Sequence, residues 1–343
     1  MDTPLASSAS KASITCAADD PRIRFSLGTK ERSSADGSFS GPQGLAFDGD
    51  RGHLFVADRA NNRVQVFSCV DGSFVSKFGS AHEFNHPTGI EIDSGHDRIV
   101  VADTKGAQSW SLSKQSFVSS CAATEIASAV GIAIDQHRDR TIIVDSSSHR
   151  LVVLSSTDLS VLFVVRPGKH PNASGLAIDS ERDRLIVTYP LEGRVQVLAS
   201  TDGSPLFELG SDDESSELAF PRGVCIDNHG RVIVADCFSG CLRAFTPDGQ
   251  HISSLEIHED LPHEVAFDEH RGLIAFAAGN RVHVIEPNQW LPDTFTWRPD
   301  RHRYAPVAIA RVVSTMTMIR SLIDESALTM MPNELLFEIF SIL

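Results

Sequence analysis

Gly44-Leu45-Ala46-Phe47-Asp48 is a short apolar run closed by an aspartate, and the chain writes such a run six times. The other copies are residues 89–93, 131–135, 175–179, 223–227 and 264–268, the last opening on Glu264 in place of glycine. Successive copies begin 45, 42, 44, 48 and 41 residues apart. A unit of that length, holding several short strands broken by Gly and Asp turns, cannot bury its apolar faces alone. Similar neighbours must cover them, and at this period the units read as blades of a β-propeller. Six copies predict six blades, an all-β ring over residues 22–288.

In the first unit, residues 44–47 form an inner strand, 48–52 a turn and 53–57 a second strand. Residues 58–62 turn again, 63–67 make a third strand and 74–78 a fourth, completing a four-stranded meander. Glycine at the start of five inner strands points to close backbone approach near the channel. Pro42, Pro87, Pro221 and Pro262 each stand two residues before that place, where a missing N–H is tolerated. The sixth unit lacks a fourth strand after Pro287. Residues 22–28, Arg-Ile-Arg-Phe-Ser-Leu-Gly, have the look of the missing piece, so the two ends of the chain are expected to close the ring together and remove its open edges.

The second turn of each blade has its own chemistry. Asp58 with Arg63 and Asp145 with Arg150 put a carboxylate and a guanidinium at the two ends of a short hairpin, a pairing read as blade building. Other blades depart from it: Gln108 follows Asp103, Cys241 follows Asp236, Arg194 has Tyr189 in the partner position, and Arg281 follows a shorter turn. The stretch Val56-Ala57-Asp58-Arg59-Ala60-Asn61-Asn62-Arg63-Val64-Gln65-Val66-Phe67 resembles the middle of an NHL repeat. Residues 144–151 resemble it more loosely and 234–236 in part. The resemblance implies a propeller used most often as a binding surface, in ubiquitin ligases of the tripartite-motif type, in RNA regulators and in other scaffolds. It also admits a minority of enzymes, including the lyase of peptide amidation.

Charge narrows these classes. The chain carries 30 Lys and Arg against 45 Asp and Glu, a formal net charge of −15 without a basic run in the repeats, which argues against nucleic acid as the partner. Residues 1–21, rich in Ser and Ala, read as a disordered leader without a signal or membrane-anchoring stretch. Six scattered cysteines, at 16, 69, 121, 225, 237 and 241, lack the spacing of a disulfide scaffold and suit a reducing intracellular site, cytoplasmic or nuclear. The Asn172-Ala173-Ser174 sequon is then unused.

An enzyme needs a convergent site. A zinc ion in a ring wants three ligands from different blades and an open position for water, and the histidines placed nearest to that requirement are His86, His170 and His263, just before the inner strands of blades two, four and six. Their offsets from the strand starts differ, which counts against a shared ligand position. The inner-strand aspartates, Asp48, Asp93, Asp135, Asp179, Asp227 and Asp268, are read as caps of the turns that follow. No Gly-x-Ser-x-Gly stretch occurs, and Cys237 with Cys241 supply only two soft donors across a turn. The leading expectation is a protein-binding scaffold without a cofactor; the alternative is a metal-dependent lyase or hydrolase at the channel mouth.

After the ring, residues 289–306, with Trp290, Pro292, Trp297 and Pro299, read as a linker packed on it. Residues 307–343 read as a helical tail. Ile309, Val312, Val313, Met316, Ile319 and Ile323 recur mostly every three or four residues and form one apolar stripe. Residues 331–343 resemble the opening helix of an F-box, which recruits a cullin-type ubiquitin ligase through an adaptor. Pro332, Leu335, Leu336, Ile339 and Phe340 carry that likeness and are the candidate partner-binding residues. An F-box takes about three helices to bury its own core, whereas the sequence here stops inside the first. The chain is then either a piece of a longer protein or the bearer of a vestigial motif.

Overall fold

The computed structural model describes residues 14–16, 22–122, 125–166, 172–210, 217–257, 260–287 and 290–291 of the 343-residue chain. Blade one is the meander Pro42–Asp48, His53–Asp58, Arg63–Ser68 and Phe74–Phe78, within a residue or two of the sequence expectation. Blades two to five repeat it, from Ile90–Asp93, Ala129–Asp135, Leu176–Asp179 and Pro221–Ile226 at the centre to Phe117–Ala122, Val161–Val165, Pro205–Glu208 and His251–Ile257 at the rim. Consecutive inner strands touch one another, and the inner strand of blade six touches that of blade one, so the array is a closed ring.

Blade six confirms the shared closure. Pro262–Asp268, Leu273–Ala278 and Arg281–Ile285 are joined by Ile23–Gly28, antiparallel to the third strand with Ile23 opposite Ile285 and Gly28 opposite Arg281. Ser26 Oγ meets His283 Nδ1 at 2.7 Å across this seam, and Arg24 pairs with Glu286 at 3.3 Å. Within the segment expected as a disordered leader, Ile14–Cys16 form a three-residue strand, parallel to the rim strand of blade five and in register with residues 255–257.

The ring is held together between blades, since a curved array offers no single centre to bury. Six clusters of buried apolar residues fill the six junctions. Trp110 at the junction of blades one and two lies 5.2 Å from Phe78 and 5.0 Å from Phe84, and Tyr189 occupies that of blades three and four. Trp290 and Leu291 join the cluster between blades five and six. Toward the channel the blades come too close for side chains: a Cβ on Gly175 would stand 2.1 Å from the carbonyl oxygen of Arg222, and one on Gly44 2.3 Å from that of Thr88. Among the described residues the helical segments are three-residue 3-10 turns, and the expected C-terminal helices lie outside them.

Candidate functional site

Strand direction sorts the ring into two faces. The loops that lead into each inner strand share one face with the hairpins between second and third strands; the turns that follow the inner strands lie on the other. Each inner-strand aspartate caps its turn as expected, for example Asp48 Oδ1 accepting from Arg51 N at 3.1 Å and Asp179 Oδ1 from Arg182 N at 3.2 Å. These turns also reach from blade to blade. Arg51 pairs with Asp97 (3.2 Å), His96 with Asp139 (3.3 Å) and Arg138 with Asp183 (2.6 Å), Asn228 donates to the carbonyl of Glu269 (2.9 Å), and Arg271 donates to that of Gly49 (2.9 Å). These contacts tie neighbouring blades together on this face, where turn residues such as Asp50, His137, Glu181 and His270 also line the channel.

On the lead-in face the hairpin carboxylates do similar work. Asp58 Oδ2 accepts from Arg63 Nε at 2.8 Å while its Oδ1 accepts from Ser40 N at 2.8 Å, tying the lead-in loop to the hairpin. Asp145 does the same with Arg150 (2.9 Å) and Ser128 N (3.1 Å). Although burial works against it, the bond from Arg150 and its neighbours hold the Asp145 carboxyl below its usual range. Where Gln108 replaces the arginine, burial wins and Asp103 is pushed up. Blade five repairs its missing pair with a different residue: Asp236 takes Arg243 (3.1 Å), two positions beyond Cys241. Arg194 turns to Glu208 (3.0 Å) and Arg281 to Asp260 (2.9 Å).

The channel holds a cavity of about 540 Å³ lined by the six inner strands and the turns that follow them. At the third inner-strand position four blades place Ala46, Ala133, Ala177 and Ala266, but blade two places Glu91 and blade five Cys225. Burial, with lesser repulsion from Glu269 and Glu264, pushes the Glu91 carboxyl up to about 8. Burial likewise raises Glu264 to about 7 and the Cys225 thiol well above its ordinary value.

Of the three candidate zinc ligands, His86 is exposed in the lead-in loop of blade two, where its N–H donates to Asn62 Oδ1 at 2.8 Å and its Nδ1 lies 3.1 Å from Asn85 Oδ1. His263 is half-buried at the junction of blades six and one, its Nε2 donating to the carbonyl of Pro42 at 2.6 Å. Burial lowers its pKa. His170 lies outside the described residues, as do Pro332, Leu335, Leu336, Ile339 and Phe340. Among the described residues no three His, Cys, Asp or Glu side chains converge as a metal site.

The structure brings together a group that the sequence reading did not single out. Phe220, in the loop leading into blade five, stacks on Phe238 of the hairpin in the same blade, centroids 4.3 Å apart and planes at 20°. The contact is built by the fold, since Cys237 N donates to the Phe220 carbonyl at 3.0 Å. Phe238 is 66% exposed, and Leu191 on the hairpin of blade four and Leu261 in the loop leading into blade six are 69% and 49% exposed. The blade-four hairpin abuts the blade-five loop at Gly193, whose Cβ position lies 2.4 Å from the carbonyl of Leu218. Three consecutive blades therefore present apolar side chains on one face.

Residues 39–67 and 218–245 match the NHL repeat, and with the ring described above they define an NHL-repeat six-bladed β-propeller. Among curated proteins, Protein lin-41 of Caenorhabditis elegans is 44% identical over 61 residues, 18% of this chain and 5% of that protein, so the chain matches a small fraction of its relative. Solved structures with the same fold include the WD40 β-propeller domain of Doa1 (TM-score 0.54, 11% identity, 77% of this chain and 82% of that one). A structural genomics protein from Bacteroides thetaiotaomicron (0.59, 16%, 76% and 73%) and a chain of a nidogen–laminin complex (0.55, 15%, 64% and 81%) are similar too. Among the described residues no helix is long and apolar enough to cross a membrane.

Proposed function

We propose that the ring is a non-catalytic platform that holds a protein partner on its lead-in face. The observation that carries this reading is the Phe220–Phe238 stack, with Phe238 exposed, on the face where Leu191 and Leu261 are exposed too, apolar side chains of the kind that anchor protein interfaces. Affinity capture from cells with the full chain and with a Leu191→Asp/Phe238→Asp variant of equal melting temperature tests it. A specific partner should be lost from the variant. Equal recovery of every specific partner by both would refute the assignment of this face.

The F-box resemblance of residues 331–343 extends the reading: in a form with a complete three-helix module, the propeller is the substrate-recognition part of an intracellular, cytoplasmic or nuclear, ubiquitin ligase. A lone helix buries too little apolar area to offset its ordering entropy, so the present chain is expected not to capture the adaptor. A longer natural form should capture it, and Leu335→Ala/Leu336→Ala should abolish that. No capture by the longer form removes the ubiquitin reading. Stoichiometric zinc in purified protein, lost on replacing His86, His170 and His263, would instead favour a metal-dependent lyase or hydrolase.

A further inference from the structure

The residue just before the glycine position of each inner strand stands at its lead-in end, one per blade: Gln43, Thr88, Val130, Ser174, Arg222 and His263. Arg222 is the one permanently charged member of this circle. Its backbone is fixed, because its carbonyl accepts from Thr188 Oγ1 at 2.6 Å and closes against Gly175. Its guanidinium makes no hydrogen bond or ion pair with another described residue, whereas Arg63, Arg150, Arg243 and Arg281 on the same face are all engaged by carboxylates. The half-buried Arg222 follows Phe220 by two residues and precedes Gly223, whose Cβ position lies 2.5 Å from Glu264 Oε1 in blade six. It therefore lies between the aromatic stack of blade five and the inner strand of blade six.

A guanidinium that no described residue engages, two residues along the chain from an aromatic stack with one exposed ring, offers the two parts of a recognition device: a planar fork for an anion and an apolar shelf for its neighbour. On the platform reading above, on which this step rests, we propose that Arg222 takes a side-chain carboxylate from the partner, an Asp or Glu next to an aromatic or aliphatic residue that lies on Phe220 and Phe238. A single carboxylate matches the one guanidinium of this circle, which no other described residue engages. A polyanion such as RNA would bring several phosphates to a chain of net charge −15.

The test is selection of a random peptide library displayed on phage against the full chain, followed by fluorescence anisotropy with the synthetic consensus peptide. The consensus should hold an Asp or Glu adjacent to an aromatic or aliphatic residue. Arg222→Gln in the protein and the amide replacement in the peptide should each weaken binding at least tenfold, the two together no more than either alone. Arg222→Lys should restore part of the loss. The Arg222→Gln variant is expected to melt with the wild type, since it gives up no bond to a described residue. A consensus that depends on Phe238 but not on Arg222 would overturn this inference and leave the platform standing. Selected peptides indifferent to Phe238, Leu191 and Arg222 would overturn both. A single-stranded RNA 20-mer that binds tightly and displaces the peptide in an Arg222-dependent way would assign the arginine to phosphate and end the carboxylate proposal.

Discussion

Replacing Glu91 by Gln should stabilise the protein, and by more as the pH rises. The substitution keeps the side chain's shape and its acceptor toward Ile92 N while removing the ionisation that the channel disfavours. In the folded state the carboxyl titrates at about 8 instead of the ordinary 4.5, so between those values it holds a proton that the unfolded chain has released. Stability therefore falls through this window and levels off above it. At about 1.4 kcal/mol for each tenfold change in proton affinity the full loss would approach ~5 kcal/mol. Glu91 is only half-buried, and solvent reaching the channel screens the charge, so roughly 2–3 kcal/mol is the expected effect. Urea unfolding of the wild type and Glu91→Gln at pH 5, 7 and 9 measures it. The two should be close at pH 5 and diverge steadily to pH 9. Curves that stay parallel across the range would refute the account of a buried, proton-holding carboxyl.

Arg63→Ala leaves the fully buried Asp58 with neutral donors only and gives up bonds to the carbonyls of Ser34, Ala35 and Ser38, so a loss of about 3 kcal/mol is expected in denaturant titration. Arg194→Ala, which breaks only the exposed pair with Glu208, should cost less than about 1 kcal/mol in the same assay. Gly175→Ala forces a methyl against the Arg222 carbonyl and should destabilise by about 1–3 kcal/mol, read as a lower melting temperature. Deleting residues 1–28 should raise hydrogen exchange in all six blades, because the ring loses its seam; a change confined to blade six would contradict that.

The ring was legible because its signal is repeated: an apolar run ending in Asp, returning at a blade's length, needs only the rule that exposed sheet faces must be covered. The closing strand was legible from residues 22–28 because an incomplete sixth unit demands a donor. Substitutions that break the period were harder. Arg243 replaces the arginine missing at Cys241 by reaching from two residues further along the strand, a geometric solution invisible to a position-by-position comparison. Glu91 could have been seen as the charged residue where four other blades carry alanine, but its raised pKa depends on how narrow the channel is. The Phe220–Phe238 stack joins residues eighteen positions apart through a backbone bond between loop and hairpin, and neither residue is unusual in its own segment. The strand Ile14–Cys16 falls in a stretch whose Ser and Ala content favours no sheet, so only the exposed rim of blade five draws it in.

The seam of blade six sets an order of events during synthesis. Arg24 and Glu286, paired across it, are 262 residues apart, so the closing strand leaves the ribosome first and its partner among the last of the ring. At typical elongation rates the early strand waits roughly 10–50 s for Arg281–Ile285 to emerge. During that time blades one to five form an open arc with two unpaired junction faces, apolar and free to meet another nascent chain. Those two faces stay uncovered until the final blade arrives.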